Sequence, residues 1–193
     1  MPIFSNSPSG FRSSDDKETW RRIYHEAAHA VVAITLGTTV RSVDIFGGGG
    51  RVDADQPDKG SRAENAFHRM VIKIASFPGE QCLPDGRTRE QWRQGAGGGH
   101  IGDIKVGWGD WPEFCSATRD YCRAKGFDVP SIEDKEEDYQ QYFDHAYKLA
   151  KQIVDSNRDA IEEIGKRLYD RGKLLIEELQ EIMQQYPPKG GTP

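Results

Sequence analysis

The chain has 193 residues, 30% charged and 36% hydrophobic, with a formal net charge of −5, and its length suits one sizeable domain. No basic stripe is present to attract nucleic acid, and no apolar run approaches the roughly 20 residues that a membrane span needs. The opening MPIFSNSPSGFRSSDD lacks the apolar core of a signal peptide, so residues 1–17 read as a flexible polar tail and the expected location is the cytoplasm.

From about Asp15 the sequence becomes helical. Ile23, Ala27, Ala30, Val31 and Ile34 recur at three- and four-residue steps, and Gly37 stands where a C-cap belongs. This helix carries His25-Glu26-Ala27-Ala28-His29. Residues four apart share a helix face, so both imidazoles can point at one metal ion with Glu26 beside them. That is the HExxH arrangement of a zinc-dependent peptidase.

VRSVDIF, Val40 to Phe46, alternates loosely and runs into four glycines, which predicts a short strand entering a turn. Residues 47–62, rich in Gly and Asp, read as a mobile loop. A second helix is expected over 61–76, with Ala66, Met70 and Ile74 on one stripe and Phe67 and Val71 on the next, before Pro78 and Gly79 disturb it. The glycine-dense stretch 83–109 predicts irregular structure. Asp110-Trp111-Pro112-Glu113 then signals a helix start, with Asp110 as N-cap and Glu113 in the capping-box position, ending at Gly126.

After Pro130, a long amphipathic helix is predicted from Ile132 to about Asp159, with Tyr139, Tyr142, Phe143, Ala146, Leu149, Ala150 and Ile153 on its apolar face. Its acidic run IEDKEEDYQQ reads as a solvated face. Shorter helices follow at Ala160–Tyr169 and Ile176–Gln185, and residues 187–193 read as a flexible tail. The expected fold is mainly α (α+β): a helical metallopeptidase domain over 18–186 with a small β element and a C-terminal helical region. Cys82, Cys115 and Cys122 form no CxxC pair, and their odd number argues against a disulfide framework. They read as small core residues.

A catalytic zinc needs a third protein ligand and one open position. The downstream candidates are His68, Glu80, His100, Asp103 and Asp110. A carboxylate at a helix start has a fixed backbone and can be aimed at a neighbouring helix, whereas one in a glycine run has little to orient it. This favours Asp110, with Asp103 second. His100 reads as a loop residue of the cleft, and His68 and His145 as helix-surface residues. With Zn²⁺ held by His25, His29 and Asp110, Glu26 is expected to act as general base, taking a proton from the metal-bound water and passing it to the leaving amine.

HEAAHAVVAITLG followed by VRSVDIF resembles the peptidase domain of the FtsH-type family, AAA+ zinc proteases whose motif reads HEAGHA. Ala28 stands where that family has glycine, an exchange that favours helix. The stretch from Asp110 to Gly126-Phe127 is similar to the family's helix opened by its third ligand, and GDIKV at Asp103 is similar to the family's segment around the same aspartate. In IASFPGEQ, Glu80 or Gln81 stands for the glutamate of the family's Ala-Ala-Glu. The closing IVDSNRDAIEEIGKRLYDRGKLLIEELQEIM completes a resemblance over roughly residues 18 to 184. It implies a metalloendopeptidase acting on unfolded or flexible polypeptides. No Walker-type GxxxxGK[ST] occurs, so the expected partners are a polypeptide substrate and either a separate unfoldase or a homo-oligomer. The alternative expectation is a catalytically inactive, peptidase-like interaction module.

Overall fold

The computed structural model describes residues 14–47, 49–96, 100–101, 104–105, 109–131 and 135–190. It is mainly helical with a small antiparallel sheet. The expected fold class is therefore observed. Helix α1, Ser14–Thr35, runs through the middle of the core. Ile23, Ala27, Ala30, Val31 and Val32 on it are all fully buried. Each such aliphatic side chain as large as Ile or Val is worth about 1.5–3 kcal/mol when removed from water. The helix begins within the expected tail, where Lys17 pairs with Asp85, as does Arg21 one turn further on. Gly37, at φ 80°, lets the chain leave the helix in the left-handed conformation.

Strand β1, Val40–Phe46, pairs antiparallel with β2, Gly49–Ala54, in a hairpin that sets Phe46 opposite Gly49. The expectation of a loop over 47–62 is thus corrected for its first half. Arg51 and Asp53 gain cross-strand partners on β1, which a window of single-residue preferences does not register. The other neighbour of β1 is β5, Lys173–Leu175, a strand the sequence pattern did not suggest. Its central residue, Leu174, is fully buried against the core. The sheet order is β2-β1-β5, which leaves β2 as an edge strand among the described residues.

Helix α2, Arg62–Ile74, starts with the capping box of Ser61 and Glu64. Pro78 and Gly79 do not end the helical course: α3, Ser76–Glu80, follows at once and is buried along its length. Gly79 is why α3 can lie on α1. A Cβ there would stand 2.4 Å from the Ala28 Cβ and 2.8 Å from the Tyr24 carbonyl oxygen, and neither can swing away. Gly79→Ala is expected to cost about 1–3 kcal/mol or more, lowering the melting temperature by about 2–4 °C per kcal/mol. Thermal denaturation of the metal-free variant checks this.

Within the stretch expected to be irregular lies α4, Arg89–Ala96, which places Trp92 fully inside the core. Its start signal is a second capping box, in which Thr88 Oγ1 accepts from the Gln91 amide at 3.3 Å and Gln91 Oε1 accepts from the Thr88 amide at 2.9 Å. Two-residue strands β3, His100–Ile101, and β4, Ile104–Lys105, pair with one another. Asp103 lies outside the described residues, as do residues 132–134, where the long helix was expected to open.

Helix α5, Asp110–Lys125, packs extensively against α2 and closes at Gly126, φ 73°. Its N-cap is Gly109, with no side-chain cap, instead of Asp110. Asp110 and Glu113 turn away from the backbone because other helices offer them charged partners, described below. Helix α6, Glu136–Ser156, and α7, Arg158–Arg171, complete the core with α8, Ile176–Gln185. The tail expected from 187 onward is anchored at Lys189, whose amide donates to Asn157 Oδ1 at 2.9 Å and whose carbonyl accepts from Asn157 Nδ2 at 2.7 Å. No helix among the described residues is long and apolar enough to cross a membrane.

Candidate metal centre

The HExxH spacing on α1 places the imidazoles of His25 and His29 with ring centroids 4.9 Å apart. Helix α5 brings Asp110 to them from 81 residues downstream of His29. Asp110 Oδ2 is 3.0 Å from Nε2 of His25 and 3.0 Å from Nε2 of His29. Ligand atoms of these three residues all lie within 4.8 Å of one another, so they could hold one metal ion. Two imidazoles and a carboxylate form a donor set suited to zinc or ferrous iron.

Each ring is fixed from behind. His29 Nδ1 donates to the Ile72 carbonyl at 2.6 Å, and His25 Nδ1 donates to Glu80 Oε1 at 2.9 Å. Both contacts place a proton on Nδ1 and direct Nε2 at the shared centre, the arrangement by which second partners orient metal-binding histidines. Glu80, considered as a third ligand, instead supports a ligand. It is buried, and its Oε2 faces Arg87 Nε at 3.5 Å and Arg21 Nε at 3.9 Å. The signal for it was weak: one acid after a Pro-Gly pair, with its role set entirely by α3 packing on α1.

Behind the aspartate, Ser76 Oγ donates to Asp110 Oδ2 at 3.0 Å and accepts from Trp92 Nε1 at 2.9 Å. Neither Ser76 nor Trp92 carried a sequence pattern pointing here. Of the other candidates, His68 lies partly buried on α2 and His145 packs on Phe67 with centroids 4.7 Å apart, both apart from the centre. The backbone of His100 lies in β3; its side chain lies outside the described residues.

Glu26 sits beside the histidines and is 8% exposed, enough to face a cleft and too little to be freely solvated. Burial pushes its carboxyl above the ordinary carboxylate range, against the pull of His25 and His29. The strand β2 lies directly over it: a Cβ on Gly50 would be 2.5 Å from Glu26 Cγ and 2.8 Å from Oε1. The cleft, about 880 Å³, runs between β2 and helices α2 and α5. Lys73 lines it and pairs with Glu113 at 2.7 Å.

Burial disfavours a charge on His25, but its hydrogen bonds to Asp110 and Glu80 outweigh this and raise its pKa to about 10. Burial would raise the Asp110 carboxyl, yet the charges and hydrogen bonds of His29 and His25 hold it well below the usual carboxylate range. In the metal-free protein a proton on His25 therefore occupies the position from which a metal would be bound. That proton stabilises the metal-free fold fully below the unfolded value of 6.5, and the contribution is lost as pH rises through about 10. Metal uptake at neutral pH is expected to release about one proton or more per chain, with affinity rising as pH rises. Titration calorimetry in buffers of different ionisation enthalpy measures the number; no release would contradict the assignment.

Comparison of the chain with models of known protein families gave no match, and comparison with curated proteins likewise gave none.

Proposed function

We propose that the protein is a zinc-dependent metalloendopeptidase that hydrolyses peptide bonds in unfolded or flexible polypeptide, with His25, His29 and Asp110 holding the metal and Glu26 as general base. The observation that carries this reading is the convergence of two backed imidazoles and one carboxylate beside a buried glutamate that has no place among the ligands. The same donor set serves ferrous iron in oxygenases, and Glu26 is what favours hydrolysis. When bound, zinc supplies Lewis acidity to water and to the scissile carbonyl. The resemblance of HEAAH and its flanks to the FtsH-type peptidase domain supports the same assignment.

The protein's own groups supply the rest. Glu26, largely buried beside the histidines, can accept a proton from the attacking water and return it to the departing amine. The glutamate keeps this role because His25 and His29 are turned by Glu80 and Ile72 toward the centre and not toward it. Substrate has to enter a cleft bordered by the edge strand β2, next to which only an extended segment can lie with its backbone hydrogen bonds satisfied. That requirement selects unfolded or flexible polypeptide over a folded domain.

Elemental analysis of protein purified with zinc is expected to give one zinc and no iron per chain. The zinc-loaded protein is expected to cleave an unstructured protein such as casein, to lose that activity on chelation and to regain it with zinc. Metal binding without any cleavage would instead support a peptidase-like interaction module.

A further inference from the structure

We propose that Ser76 and Trp92 are positioning residues that aim Asp110 at the ligand centre, an inference that rests on reading His25, His29 and Asp110 as the metal site. The hydrogen bonds have only one possible direction. An indole N–H only donates and an ionised carboxylate only accepts, so the Ser76 hydroxyl must accept from Trp92 and donate to Asp110. Ser76 and Trp92 are both fully buried, and the chain from indole to carboxylate is direct.

Asp110 needs such support. It is the first residue of α5, so the helix fixes its backbone, but its side chain makes no capping bond to that helix and takes its aim from the groups around it. Trp92 is, by contrast, wedged between Phe77 and Phe143, with ring centroids 5.7 and 6.0 Å away. The relay transfers the rigidity of that aromatic core to the ligand oxygen. It also completes a pattern. His29 is held by the Ile72 carbonyl, Asp110 by Ser76 and His25 by Glu80, so the short stretch 72–80 backs all three ligands from one side.

Zinc affinity, measured by competition with a chromophoric chelator, and the visible absorption spectrum of the cobalt-substituted protein test this. Ser76→Ala is expected to bind zinc about 10–100-fold more weakly, and Trp92→Phe, which keeps an aromatic but smaller ring and loses the N–H, about 3–10-fold more weakly. Both variants are expected to shift the cobalt bands, a change that loss of stability alone would not produce. Ser76→Thr, which retains the hydroxyl, is expected to restore affinity to within about threefold of the unmodified protein. Should Ser76→Ala fail to fold, Trp92→Phe decides alone. Variants that match the unmodified protein in affinity and spectrum overturn the relay and leave the metal site standing. An unmodified protein that binds neither ion overturns both.

Discussion

Glu26→Gln is expected to lower kcat/KM for peptide hydrolysis by about 10²–10⁴-fold while zinc content stays at one per chain, the range for loss of a positioned general base. Glutamine has the same shape and cannot accept the proton. Since Glu26 makes none of the ligand contacts, metal binding should survive, and this separates the prediction from any effect on the ligands. The pH profile adds a second check. Hydrolysis needs Glu26 ionised, so the acid limb of kcat/KM that reports its titration should vanish in the variant. The stability sign is opposite. A carboxyl with a raised folded pKa loses its stabilising contribution as pH rises through that value, so metal-free Glu26→Gln should melt no lower than the unmodified protein at alkaline pH. Metal content and kinetics measured on one preparation, with melting curves across pH, test all three statements. An unchanged kcat/KM would sink the role of Glu26.

Asp110→Ala should abolish zinc retention through dialysis, a larger loss than the about 10–100-fold expected of the groups behind the ligands. It should also weaken the metal-free fold. Three polar atoms, His25 Nε2, His29 Nε2 and Ser76 Oγ, converge on its Oδ2, and removing the carboxylate leaves them facing one another in a mostly buried site. Breaking a buried charged pair by deleting one partner costs about 3–5 kcal/mol. Asp110→Asn keeps the volume and one acceptor oxygen, and should recover most of the fold without recovering tight binding. Asp103→Ala, at the competing position, should retain one zinc per chain. Elemental analysis after dialysis, read beside denaturant melts, distinguishes these outcomes; loss of zinc in Asp103→Ala alone would move the third ligand there.

The parts of the site that were legible in the sequence are those with a local signature. HExxH needs only helical spacing, and the Asp110 helix opens with Pro112 and closes with Gly126, so both elements could be placed before their partners were known. The supporting groups have no such signature. Glu80 and Ser76 act because α3 lies across α1 at Gly79, and Ile72 because α2 also packs on α1, contacts between segments far apart in the chain. The capping box at Thr88-Gln91 was readable, yet the glycines around it masked the helix that delivers Trp92. The strands β2 and β5 were missed because short strands take their stability from β1 more than from their own residues.

The close approach of Gly50 to Glu26 bears on how this centre can be changed. Most single substitutions that silence such a site strike a ligand or the base and leave a visible chemical gap. A methyl group at position 50 would instead force the glutamate aside with the ligand set intact. A relative of this chain could therefore carry HEAAH and the aspartate unaltered and still be inert. On the proposed function, the residue at position 50 therefore bears on activity alongside the three candidate ligands.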